Sequence, residues 1–268
     1  MKKQYKLGVI GCGFMARAIL KGVVMSDFIR ERKIIVSDLL QENLDQVKYL
    51  GVNTCQDNTF VAQNCEYLLI AVKPQNFLDV VQDVKNADVK NVISIMAGIK
   101  KDSIKERVGL FCKVARVMPN LPATIGSGAI AVDLSDFDGD VHGGEFVYKL
   151  LDCLGKVTIV KESQIDAVTG ISGSAPAYVF LFIDALVDAG VKNGLTRAQA
   201  LNLITQTVIG SAEMVERNEK PLPELIMNVC SKGGTTIEAV KTLEEGNFRQ
   251  VIDAAVNACI KRSKELSK

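Results

Sequence analysis

Gly11-Cys12-Gly13-Phe14-Met15-Ala16 follows a β-branched run and opens a stretch of helical period, giving the spacing G-x-G-x-x-A. Each position has a physical purpose. Gly11 permits a tight turn, Gly13 lets a pyrophosphate approach the backbone, and Ala16 allows close packing of helix on strand. The N–H groups and positive dipole end at the helix start then face the phosphates. A second strand ends at Ser37 and Asp38, 22 residues beyond Ala16, where an acid belongs that reads a ribose. A carboxylate there accepts from the 2′-hydroxyl of NADH and repels the 2′-phosphate of NADPH. The alternative has Asp38 turned outward, leaving Ser37 and nearby basic groups to meet a phosphate.

Further candidates lie where other strands end. Lys73-Pro74 closes one strand and Pro119-Asn120-Leu121-Pro122 another, and ligands of open α/β sheets bind at carboxyl ends of strands. Lys73 is placed to touch ribose or substrate, and Asn120 either hydrogen-bonds a ribose or amide or is a surface-turn residue. A carbonyl reductase needs an acid, most often His or Lys. The one histidine, His142, sits in the acidic, glycine-containing stretch 138–145, read as a solvated loop, and no lysine follows Ser172 until Lys192. An imine relaxes this demand, because its basic nitrogen collects a proton from water and a hydroxyl partner is sufficient. Cys230-Ser231-Lys232-Gly233-Gly234-Thr235-Thr236-Ile237 offers hydroxyls and exposed N–H groups that suit a carboxylate; it equally fits a helix-to-helix turn capped by threonine. Ser172-Gly173-Ser174-Ala175-Pro176 permits close approach of a ligand or helix, with packing the simpler reading.

The 268 residues are enough for one large or two ordinary domains. Charge is even, 20 basic against 18 acidic residues up to position 160 and 12 against 13 beyond, so no face is advertised for nucleic acid or an anionic membrane. Seven cysteines are scattered without a metal-binding spacing. They read as reduced, mostly buried thiols; no metal is expected, and the cytoplasm is the expected compartment. The apolar segment 178–187 is short for a membrane span and reads as a buried helix.

The elements that must carry these residues change character along the chain. Strands are expected at 6–10, 33–37, 67–72, 91–95, 114–118, 128–131 and 157–160, with helices at 15–25, 41–50, 58–64, 75–84, 101–108 and 144–154 between them. Beyond 161 only helices follow, at 163–171, 174–193, 197–217, 223–230, 236–244 and 248–266, with Thr196 and Asn247 as N-caps and Gly194, Gly233 and Gly246 at ends. The expected fold is α/β, with a doubly wound (Rossmann) domain over 1–160 and an all-helical domain over 161–268. So small a helical piece with several apolar helices points to burial against a second copy.

The segments GVIGCGFMA, AVKPQ, MPNLPA, SGSAPAYVF and CSKGGTTIEAV, in this order and spanning the chain, resemble the pyrroline-5-carboxylate reductase family. The resemblance implies hydride transfer from NADPH or NADH to the C=N carbon of 1-pyrroline-5-carboxylate, giving L-proline, in a homodimer or larger assembly joined through the C-terminal helices. It places the pyrophosphate on Gly11 to Ala16, the adenine-side ribose by Asn58, and the nicotinamide half among Ala71, Val72, Lys73, Ala97 and Asn120. Ser231, Gly234 and Thr235 would hold the substrate carboxylate, the Thr236 hydroxyl would face the ring nitrogen, and Glu219 would lie near the ring. Three departures stand out: Phe14 replaces a small polar residue, Lys232 replaces a common proline, and Asp38 favours NADH in a family that frequently uses NADPH. Two rivals are kept: a reductase of another cyclic imino acid or a hydroxyacid, and a non-catalytic nucleotide-sensing module.

Overall fold

The computed structural model describes residues 3–217 and 220–266. Eight strands form one sheet in the order β3-β2-β1-β4-β5-β6-β7-β8. The strands are β1 (Tyr5–Ile10), β2 (Ile34–Ser37), β3 (Asn53–Cys55), β4 (Cys65–Ile70), β5 (Asn91–Ser94), β6 (Lys113–Met118), β7 (Gly128–Asp133) and β8 (Gly155–Ile159). Interleaved with them are α1 (Phe14–Met25), α2 (Gln41–Asp45), α3 (Asn58–Asn64), α4 (Phe77–Val84), α5 (Lys101–Val108) and α6 (Val141–Asp152). Pairing is parallel throughout except that β7 runs antiparallel to β6.

Alternation along the strands builds two cores. Leu7, Val9, Leu69, Ile93 and Val117 face one layer with Ile19, Leu20 and Val23 of α1 and Val147, Leu150 and Leu151 of α6. Ile10, Leu68, Ile70, Val92 and Val114 face the other, with Val61, Phe77, Val80, Val84 and Ile104. Burial on both faces is why these strands read as nearly continuous apolar runs.

The rest is helical: α7 (Ile165–Val168), α8 (Ala175–Lys192), α9 (Arg197–Arg217), α10 (Leu222–Val229), α11 (Thr235–Glu245) and α12 (Phe248–Leu266). Two compact units result, one reaching Ser174 and resuming at Cys259, the other spanning Ala175–Ala258. Thr196 starts α9 as expected: its hydroxyl accepts the Gln199 N–H at 3.2 Å, while its own N–H donates to the Gln199 side chain at 2.9 Å. At the entry to α12, Asn247 rather than Gly246 takes the left-handed conformation, with φ of 57°.

Several expectations are corrected. Between α7 and α8 the chain forms a π-helix, Thr169–Gly173, followed by a bend at Ser174, and a Cβ added to Gly173 would stand 3.3 Å from the Met118 sulfur. The helix expected at 41–50 ends at Asp45 and resumes only as a 3-10 turn, Lys48–Leu50, before Gly51 at φ 74° turns the chain into β3. His142 belongs to the first turn of α6, because Asp140 caps that helix by accepting the Gly143 N–H at 3.0 Å. Segment 178–187 is not a buried helix in the single chain: only Val187 is buried, while Phe180, Leu181 and Phe182 are exposed. All seven cysteines are free, but only Cys12, Cys65 and Cys112 are buried; the other four are half-buried.

Candidate active site

Three strand ends converge on Gly11. Its N–H donates to the Ser37 carbonyl at 2.8 Å, its φ is 92°, and an added Cβ would lie 2.9 Å from both the Ala71 carbonyl oxygen and a Val72 methyl. Only glycine fits this turn without strain. The extended Gly13 then leads into α1, with nothing within 4 Å of where its Cβ would be. No side chain caps the start of α1, and no acidic residue stands in its first turn. Free N–H groups and open space above Gly13 fit a pyrophosphate. Ala16 is fully buried against the sheet, Met15 is half-buried, and Phe14 is exposed at the mouth.

The end of β2 supplies the next contacts. Asp38 is half-buried and turned inward: its Oδ2 accepts the Cys12 N–H at 2.7 Å, and its Oδ1 accepts the Leu40 N–H at 2.9 Å and the Asn43 side chain at 3.0 Å. Ser37 is fully buried and donates its hydroxyl to Asn58 Oδ1 at 2.7 Å. Asn58 in turn donates to Asp83 Oδ2 at 2.8 Å. Ser37 thus orients Asn58 from below. Asn43 and Asp83 were missed in the sequence, which carries no pattern marking either as a support. Cys12 is also fully buried; burial first, and the Asp38 charge second, push its thiol up to about 11. At neutral pH it is a thiol that donates to the Asn43 carbonyl, not a nucleophile.

Along the same edge, Ala71 and Val72 lie beyond β4 and are half-buried, Lys73 is exposed, and Pro74 opens a 3-10 turn leading to α4. Ala97 packs beside Met118, Ala131 and Ile165. Asn120 is no surface-turn residue: at 9% exposure its Oδ1 accepts the Ala129 N–H at 2.9 Å, and its amide nitrogen lies 3.5 Å from Ser172.

In the helical unit, the segment before α11 turns at Gly233, with φ 71°. The Gly234 N–H donates to the Ser231 carbonyl at 3.0 Å, and a Cβ on Gly234 would collide with the Ser231 hydroxyl. The N-cap is Gly234, not a threonine, and no side chain caps the helix. Thr235 and Thr236 therefore occupy the first turn, exposed and half-buried respectively, beside unclaimed backbone N–H groups. Lys232 is exposed next to them. Glu219 lies outside the described residues. Among the described residues no cluster of His, Cys, Asp and Glu could hold a metal ion, and His142 is exposed.

A glycine turn between β1 and α1 and an acid after β2, on a mostly parallel sheet, define a dinucleotide-binding protein of the Rossmann class. The family model "NADP oxidoreductase coenzyme F420-dependent" matches residues 6–98, and "Pyrroline-5-carboxylate reductase dimerisation" matches residues 162–266. The chain is 40% identical to pyrroline-5-carboxylate reductase of Arabidopsis thaliana, covering 99% of this chain and 96% of that one, and 38% identical to the Escherichia coli enzyme, covering 98% of both. The crystal structure of Plasmodium falciparum pyrroline carboxylate reductase with NADP bound superposes with a TM-score of 0.90 at 32% identity over 100% of both chains. The Coxiella burnetii enzyme gives 0.90 at 34% identity over 99% of both. The chain belongs to the pyrroline-5-carboxylate reductase family, NAD(P)H-dependent enzymes acting on a C=N bond.

The dimerisation match also bears on the helical stretch Glu162–Lys192, which by length and composition is apolar enough to cross a membrane and of whose most apolar 18 residues 17% are buried. Its exposed Phe180, Leu181 and Phe182 fall inside the residues matched to the dimerisation family.

Proposed function

We propose that the chain reduces 1-pyrroline-5-carboxylate to L-proline as a dimer, with residues 1–160 holding the cofactor and 161–268 holding the substrate and the second subunit. The observation that carries the substrate assignment is the start of α11, a glycine-capped helix with two threonines in its first turn. There the Thr235 N–H and the Ser231 hydroxyl bind the carboxylate, with Gly234, whose own N–H closes the turn onto the Ser231 carbonyl, letting it approach the backbone. The Thr236 hydroxyl is one residue further and bonds to the ring nitrogen, fixing which face of the C=N carbon is presented. That nitrogen is basic enough to arrive protonated, so no His or Lys acid is required.

When bound, NAD(P)H supplies the hydride that reduces the C=N carbon. Gly11, Gly13 and the N–H groups of Phe14, Met15 and Ala16 hold the pyrophosphate, Asp38 and Asn58 meet the adenine-side ribose, and Ala71 to Pro74, Ala97 and Asn120 border the nicotinamide half. The cytoplasm, with neither nucleic acid nor membrane as partner, completes the reading and is supported by the free cysteines and even charge.

The test follows oxidation of NADH and NADPH with pyrroline-5-carboxylate, its six-membered-ring analogue and a hydroxyacid. Rapid turnover on the five-membered imine alone, with proline as product, is expected. Faster turnover of either other substrate, or cofactor binding without turnover, overturns the reading.

A further inference from the structure

We propose that Asp38 makes this chain NADH-preferring, acting as the acceptor for the ribose 2′-hydroxyl while bracing the phosphate loop. The proposal rests on the cofactor half of the reading above and deepens it.

A carboxylate has about four acceptor positions. Three on Asp38 are taken: Cys12 N–H on Oδ2, and Leu40 N–H with the Asn43 amide on Oδ1. The remaining position is on Oδ2, the oxygen that also meets the glycine loop, and the side chain is half-buried rather than covered. Three donors hold the carboxylate in place, so it does not swing away when a ligand arrives. A 2′-hydroxyl donates to the free lone pair, whereas a 2′-phosphate brings two negative charges against a fixed third.

The chain that follows β2 supplies no relief. The segment after β2 reads Asp38-Leu39-Leu40-Gln41-Glu42, without a cation. Arg17, on the loop side, sits 3.5 Å from the Cys12 carbonyl. The Ser37 hydroxyl, which would suit a phosphate, is fully buried and donated to Asn58, and the Asn58 amide already carries a second carboxylate, Asp83. The Ser37 hydroxyl proton and one of the two Asn58 amide protons are thus spent inside the protein, and the Asp83 carboxylate stands against Asn58.

The experiment is calorimetric titration of the full-length protein with NADH, NADPH, 5′-AMP and 2′,5′-ADP, alongside Asp38→Ser and Leu39→Arg. NADH is expected to bind about tenfold or more tighter than NADPH, with the same order for the two fragments. Asp38→Ser should bring the two cofactors within about threefold of each other, and Leu39→Arg should strengthen NADPH alone. Equal or tighter binding of NADPH by the unaltered protein overturns the proposal, as does a Ser variant that weakens both cofactors equally and leaves their ratio unchanged. Because the fragments bind without an imine, a correct ratio in a protein that reduces no pyrroline would sink the substrate reading and leave this one standing.

Discussion

Replacing Lys101 with methionine tests the charged cluster that seats the start of the helical segment. The Lys101 ammonium lies 2.5 Å from Asp133, 2.6 Å from the Ser135 hydroxyl and 2.9 Å from Asp136, and the three charged side chains are only 7%, 5% and 12% exposed. The Lys101 backbone N–H donates to Glu162 at 2.7 Å, and the Glu162 N–H donates to Asp133 at 2.7 Å. Methionine keeps the chain's bulk and removes the charge. Asp136 retains Lys105 at 2.7 Å, but Asp133 keeps only the neutral donors Ser135 and Glu162 N–H. Stripping one partner from a buried pair costs about 3–5 kcal/mol, which for a domain of this size lowers the melting temperature by roughly 6–20 °C.

The same geometry fixes the pH dependence. Burial pushes Asp133 and Asp136 upward, but hydrogen bonds from Lys101 and Ser135 to the first, and from Lys105 and Lys101 to the second, outweigh it and hold both below the usual carboxylate range. Their stabilisation is present above a pH of about 4 and disappears as pH falls through the lower folded-state values. Lys101 is raised in spite of its burial, so its share is complete below its ordinary value and is lost only in strong base. The deficit of Lys101→Met is therefore largest at neutral pH and shrinks in acid, where the variant's Asp133, still buried but no longer held down by Lys101, takes up a proton before the unaltered protein's does. Urea and thermal unfolding at pH 7 and pH 4, at matched protein concentration because the chain dimerises, measure it. A deficit under about 1 kcal/mol at pH 7, or one of equal size at both pH values, refutes the reasoning.

Thr236→Ala is expected to lower kcat by about 10- to 100-fold, the worth of a hydrogen bond to a charged nitrogen, with NAD(P)H affinity unchanged and Thr236→Ser restoring most of the loss; undiminished turnover removes Thr236 from the reaction. Gly11→Ala puts a Cβ 2.9 Å from the Ala71 carbonyl at a φ of 92°, and should cost about 1–3 kcal/mol of stability while abolishing cofactor binding; a melt and titration like those of the unaltered protein would contradict the turn argument. Leu181→Glu, at a position 72% exposed in the single chain, should shift sedimentation toward monomer, and an unchanged dimer would place the contact elsewhere. Cys12, buried and with its thiol near 11, should resist iodoacetamide at pH 7 in the folded protein; its labelling at the rate of a half-buried cysteine, read by mass spectrometry, would disprove the assignment.

The cofactor half of the fold was legible because its signals are local. Seven of the eight strands could be read from β-branched and apolar runs, six of them largely buried and β8 half-buried to exposed, and Gly11, Gly13 and Ala16 fall where the turn needs them. β3 escaped because it is three residues long, Asn53-Thr54-Cys55, at the sheet edge and only half-buried, so neither an apolar run nor alternation marks it. The residues after β4 were misread for a related reason: Ala71 and Val72 look like strand, but they close over Gly11 instead of continuing it. Contacts between distant positions, such as Asn43 on Asp38 or Asp83 on Asn58, leave no periodicity and need coordinates. In the helical half the periods could be read and the burial could not. The hydrophobic surface of α8 is plain in the sequence, yet what covers it is not another part of the same described chain. A single sequence specifies an apolar face without saying whose side chains will meet it. The same argument explains why a helix of membrane-like composition occurs here: an interface that exists only between chains is as apolar as an interior, while each chain alone displays it as surface.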